Sequence, residues 1–145
     1  MTFHTEETRY EPPITQRRQL TGLSNRPRET VKLLYDHEIT NAPGMSIVGL
    51  EVHYGPNGWT PPHTHSGATV VATVTKGRLL SGMNDNPPKV YGVGESFREF
   101  PGCHHTVSDN ASDTEDCTFV AVVVIETEVL KKGYQILTVL DAGWE

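Results

Sequence analysis

The sequence predicts an all-β fold, a single small barrel or sandwich, on three observations. About nine short runs are rich in Val, Ile, Thr and aromatic residues; strong turn chemistry separates them; and helical periodicity is almost absent. The runs fall at 30–35, 45–54, 63–76, 78–83, 89–93, 96–100, 104–108, 117–127 and 134–139. Thr40-Asn-Ala-Pro-Gly44, Asn84-Asp-Asn-Pro-Pro88, Gly92-Val-Gly94 and Asp109-Asn-Ala-Ser-Asp113 punctuate them. The run at 63–76 carries Thr or Val at seven positions, which disfavours helix. In the run at 45–54, Leu50, Val52 and Tyr54 share the face expected to meet the core, which puts Glu51 and His53 outside.

Residues 1–28 differ. They are polar, contain Pro12, Pro13 and Pro27, and sustain no period beyond a short helix at 14–20, so they read as an extended N-terminal arm ahead of a barrel domain at 29–145. Such an arm is expected to lie across the barrel or to exchange with a second subunit, burying Ile14, Leu20 and Leu23 in a homodimer. Arg17, Arg18, Arg26 and Arg28 read as its solvated charges.

At 145 residues and 16.0 kDa the chain can bury a core in one domain without disulfide staples. A net charge of −6 and a pI near 5.6 give no support for nucleic acid or an anionic membrane as partner. The longest apolar stretch, 119–125, is too short to span a bilayer. The N-terminus shows neither a basic region nor an apolar run, so no signal peptide is expected and a cytoplasmic location is; Cys103 and Cys117 read as free thiols. By the same reasoning the Asn110-Ala-Ser112 acceptor sequence reads as a turn.

Four of the seven histidines lie in two short segments, Gly58-Trp-Thr-Pro-Pro-His-Thr-His65 and Phe100-Pro-Gly-Cys-His-His105. Side chains alternate along a strand, so His63 and His65 leave one face together. Curling the sheet brings the second segment to them, and three imidazoles then suit a divalent metal. The competing reading is a polar strand edge.

At these residues the chain resembles the cupins, small β-barrels with two histidine motifs. The first motif is glycine, His-x-His, a glutamate after four more residues, then glycine. Gly58, His63, His65 and Gly77 stand at matching places, with four residues rather than five between Gly58 and His63, and Val70 occupies the glutamate position. The second motif is matched in order by Gly94, Pro101, Gly102, His105 and Asn110, with spacings off by one. The resemblance covers roughly residues 45–125 and implies a jelly-roll barrel with His63, His65 and His105 as metal ligands. Family spacing favours His105 over His104, and alternation turns His104 away.

With no acid at position 70, three neutral imidazoles would leave the ion its full charge, favouring an anionic oxygen chelate such as an enolate, diketone, phenolate or carboxylate. Iron, zinc, nickel and manganese all suit the site. The resemblance implies a metal-dependent enzyme on a small molecule, leaning to a dioxygenase. The alternatives are a non-redox cyclase, isomerase, decarboxylase or lyase, and a ligand-binding cupin without chemistry. Candidate catalytic groups are Glu99, as a base, and Thr69, as a hydrogen-bond partner of bound water. Candidate cavity walls are Tyr54, Trp59, Val70, Met83, Tyr91 and Phe97, with Cys103 as a near-metal thiol; each has a plain core reading beside it.

Overall fold

The computed structural model describes residues 25–144, and the expected arm lies outside them as far as residue 24, with Ile14, Leu20 and Leu23. Ten strands follow in order: β1 (Thr30–Glu38), β2 (Met45–Tyr54), β3 (His63–Thr64), β4 (Thr69–Lys76), β5 (Leu79–Met83), β6 (Lys89–Tyr91), β7 (Ser96–Glu99), β8 (His105–Asn110), β9 (Cys117–Glu126) and β10 (Val139–Leu140). They form two antiparallel five-stranded sheets, ordered β1-β2-β9-β4-β7 and β10-β3-β8-β5-β6. This is the predicted all-β jelly roll.

Alternation builds the core. Leu50, Val52 and Tyr54 of β2, Val70 and Ala72 of β4, and Phe119, Ala121 and Val123 of β9 face the space between the sheets. Each Val or Phe so buried contributes roughly 1.5–3 kcal/mol. Val70 stands beside Thr69 and Val71, whose side chains therefore leave the opposite face.

Two predicted strands are revised. The run at 63–76 is broken into β3 and β4 by Ser66 and Gly67, both at positive φ, with the Ala68 N–H closing the turn onto the His65 carbonyl at 3.0 Å. The run at 134–139 is a 3-10 turn, Tyr134–Leu137, before the short β10. It follows a helix, α1 (Thr127–Leu130), and Gly133 at φ 114°, and its carbonyls are used by side chains rather than by a ladder. Gly77, the last glycine of the first motif, has φ 75°, and a Cβ there would collide with the Asp116 carbonyl.

The basic cluster is corrected at Arg26, which is buried rather than solvated. Its Nη1 lies 3.6 Å from Asp109 Oδ2, its Nε donates to the Asn57 carbonyl at 3.1 Å, and its guanidinium sits 4.9 Å from the Trp59 ring centroid. Both cysteines are free thiols; burial pushes that of Cys117 up to about 12. Asn110 is buried with its amide committed to the Gly55 and Glu115 carbonyls, at 3.0 and 2.6 Å. Among the described residues no helix is long and apolar enough to cross a membrane.

Candidate metal centre

His63 of β3 lies directly opposite His105 of β8, and His65 follows one residue beyond β3. The three rings therefore come from neighbouring strands of one sheet. Centroids are 4.7 Å apart for His63 and His65, 4.8 Å for His63 and His105, and 6.2 Å for His65 and His105. One nitrogen from each lies within 4.8 Å of the others.

The outer nitrogens are tethered. His63 Nδ1 donates to the Pro61 carbonyl at 2.6 Å and His65 Nδ1 to the Leu137 carbonyl at 2.7 Å, so in both neutral rings Nε2 carries the lone pair. His105 Nε2 meets the Ser81 hydroxyl at 2.9 Å, which leaves Nδ1 facing inward. Metal-binding histidines are held in this way, each ring orientated by a bond from its other nitrogen. Ser66 braces the same turn, donating to the Ile136 carbonyl at 2.5 Å.

A β-bulge sets His105. Gly82 pairs with Val107 but Met83 with His105, so Thr106 is an extra residue, and His105 and Ser108 both reach the cavity despite their odd separation. His104 points away, its Nε2 2.9 Å from Asp141 Oδ2.

Glu99, the candidate base, faces the three rings. Glu99, at the end of β7, pairs in register with Val70, and is only 3 % exposed. Its Oε1 lies 3.2 Å from His65 Nε2 and its Oε2 3.3 Å from His105 Nδ1. Burial alone would raise the Glu99 carboxyl, but the rings of His105 and His65 override it and hold the group well below the usual carboxylate range. His65 is pulled the other way: burial lowers it, yet facing Glu99 raises it overall. Burial, then the neighbouring His105 and His65, lowers His63 from 6.5 to about 3, so this ring is neutral near pH 7.

Three buried polar atoms, His65 Nε2, Glu99 Oε1 and His105 Nδ1, have no hydrogen-bond partner. Buried polar atoms gathered at one point with only one another for company are costly unless protons or a cation are shared among them. The three imidazole nitrogens are thus suited to a divalent transition metal.

The rings open on a cavity of about 460 Å³. Beyond the histidines and Glu99 its walls are largely aliphatic or aromatic, with Leu50, Val52, Val123 and Phe119 prominent, while the polar Thr60, Ser108, Glu29, Tyr134, Gln135 and Thr138 also line it. Tyr54 and Val70 are among the lining residues. The Tyr54 hydroxyl is shared by Thr60 and Ser108, each at 2.7 Å, and burial pushes its phenol far up, so it keeps its proton.

Five expected walls lie elsewhere. Trp59 packs edge-on against Trp144 and under Arg26. Met83 and Tyr91 pack on the core from the β5–β6 side. Phe97 stands behind the site, its ring 4.9 Å from Tyr91 and edge-on to His105 at 6.0 Å. Cys103 sits in the turn before β8, where strand alternation does not reach, its Sγ 3.6 Å from Asn84 Nδ2. Thr69 faces away from the cavity, which removes it as a partner for bound water. The Leu137 carbonyl, Ser81 and Ser108 were not foreseen. A backbone acceptor leaves no mark in the sequence, and small hydroxyl residues are too common to signal one.

Residues 50–123 match the cupin domain family. The chain is a cupin. It is 33 % identical over 86 residues to germin-like protein 4-1 of rice, Oryza sativa subsp. japonica, an alignment covering 51 % of this chain and 34 % of that one. This cupin thus spans about a third of the length of the curated relatives it matches. Among solved structures it resembles a double-stranded β-helix protein from Klebsiella pneumoniae (TM-score 0.57, 18 % identity, 69 % of this chain and 79 % of the other). A cupin domain from Bordetella pertussis gives 0.54 and 25 %, covering 70 % and 97 %. Oxalate oxidase in complex with the substrate analogue glycolate gives 0.51 and 23 %, covering 74 % and 59 %, a likeness of fold alone.

Proposed function

We propose that this cupin is a metal-dependent enzyme acting on a small oxygen-chelating molecule with an apolar body, an enolised diketone or a phenolic, and that it cleaves it oxidatively as a dioxygenase. The observation that carries the reading is the convergence of three tethered imidazoles, two of them fully buried, on one end of a largely apolar cavity. A bound divalent metal supplies Lewis acidity toward the chelating oxygens and, as iron(II), the redox chemistry of dioxygen.

The chain's own residues do the rest. Backbone carbonyls fix the tautomers of His63 and His65 so that Nε2 faces inward, and the Ser81 hydroxyl on Nε2 of His105 turns its Nδ1 inward. Leu50, Val52, Phe119 and Val123 accept the apolar body and keep water from it. Tyr54, with its proton locked between two hydroxyls, is a fixed dipole rather than an acid at neutral pH. Polarity at one end and hydrocarbon along the walls orient a substrate headgroup-first.

The test is metal analysis of protein purified without added metal, followed by oxygen uptake with diketone and phenolic substrates on the iron(II)-loaded protein. Uptake that disappears on chelation and in His63→Ala is expected. Tightly held zinc with no oxygen consumption by either form overturns the dioxygenase and leaves non-redox enolate chemistry.

A further inference from the structure

The family's motif places its acidic ligand on the strand that follows the His-x-His pair, and here that position is Val70. Val70 is buried, lines the cavity, and pairs across the ladder with Glu99 of β7. Cross-strand partners in an antiparallel pair project to the same side of the sheet, about 5 Å apart at Cβ. The carboxylate missing from one strand thus stands on its neighbour.

We propose that Glu99 is a ligand of the metal centre, supplied from the strand adjacent to the one that normally provides it, so that the centre is three imidazoles and one carboxylate. This inference rests on the metal-centre reading above. Two geometric facts support it. Glu99 Oε1 and Oε2 lie 3.2 and 3.3 Å from His65 Nε2 and His105 Nδ1, the same two nitrogens left free by the tethers of those rings. Ligand bonds of about 2.0–2.2 Å, meeting at one ion, set neighbouring donor atoms about 3 Å apart.

In addition, Oε1 and both nitrogens are buried and make no hydrogen bond beyond these mutual contacts. A carboxylate that merely braced a ring would accept an N–H from its outer nitrogen, and those outer nitrogens are already held by Pro61, Leu137 and Ser81. Glu99 instead meets the inner ones. The two sheets then share the ion, with the rings from the β3–β8 side and the carboxylate from the β4–β7 side. The carboxylate also removes one unit of charge, so a divalent centre retains a single positive charge for a singly ionised chelate.

The experiment titrates Mn(II), Zn(II) and Co(II) into apo wild type, Glu99→Gln, His63→Ala and the swap Val70→Glu/Glu99→Gln, with circular dichroism and melting of the apo forms confirming the fold. Glu99→Gln is expected to weaken binding at least about tenfold and to change the Co(II) visible spectrum, and the swap to recover both. A Glu99→Gln protein that binds within twofold of wild type with an unchanged Co(II) spectrum overturns the proposal and leaves the three-histidine centre standing. Failure of wild type to bind any of the three metals, with His63→Ala indistinguishable from it, overturns the centre itself. If the swap does not fold, X-ray absorption on the Zn(II) form of wild type and Glu99→Gln decides: an unchanged first shell overturns the proposal.

Discussion

Two buried carboxylates in this cupin invite comparison, Asp109 of β8 and Glu99 of β7. Both are almost wholly shielded from water, 1 % and 3 % exposed. Asp109 faces Arg26, a permanent cation that also holds the Asn57 carbonyl and lies over Trp59. Glu99 faces only imidazoles, which carry charge conditionally. A carboxylate with a guanidinium is committed to structure, since arginine does not give up its proton. A carboxylate among titratable rings keeps its place for an external cation. The burial is alike; the partner's chemistry separates a staple from a site.

That contrast can be broken most directly at Asp109. Asp109→Ala strands the buried Arg26 guanidinium and is expected to cost about 3–5 kcal/mol in urea unfolding. Apo Glu99→Gln should lose clearly less, because His65, raised by the carboxylate, can shed its proton once the carboxylate is gone. Equal losses would erase the distinction.

Acid titration of the apo protein gives an intermediate effect. His63 protonates near 6.5 when unfolded but near 3 when folded, so between those values the unfolded chain binds more protons and stability falls as pH drops. Glu99, held below its ordinary 4.5, adds a loss in the same direction below that value. His65 works against both, its raised value contributing stability at low pH that is lost as pH rises. Urea midpoints from pH 7 to pH 4 should fall, and fall less in His63→Ala; equal falls in the two proteins would show that His63 is not held neutral. The smallest effect is Tyr54→Phe, which removes the hydroxyl shared by Thr60 and Ser108 and should cost about 1–2 kcal/mol in the same unfolding assay.

Much of this was legible in order along the chain. The pairing of His63 with His65 on one face followed from period two, and β2 fell at 45–54 as its apolar alternation predicts. The reading failed where one strand's period stops being informative. Counting back from His105 by twos puts Cys103 on the metal-facing side, but β8 begins only at His105. The run at 134–139 has a strand's composition, yet Gly133 and the demand of His65 and Ser66 for carbonyls make it a turn. Trp59 and Arg26 found each other and Asp109 in the interior, where composition suggested a pocket wall and a solvated charge.

The sequence by itself determined the strand succession, the turns between strands and the identity of the three imidazoles, because alternation and turn propensity act over a few neighbouring residues. Only the tertiary structure decided that Glu99 stands beside Val70 and that an extra Thr106 swings His105 and Ser108 into one cavity. Both depend on register between strands distant in the chain, and register is settled by packing across the sheets rather than by any local pattern.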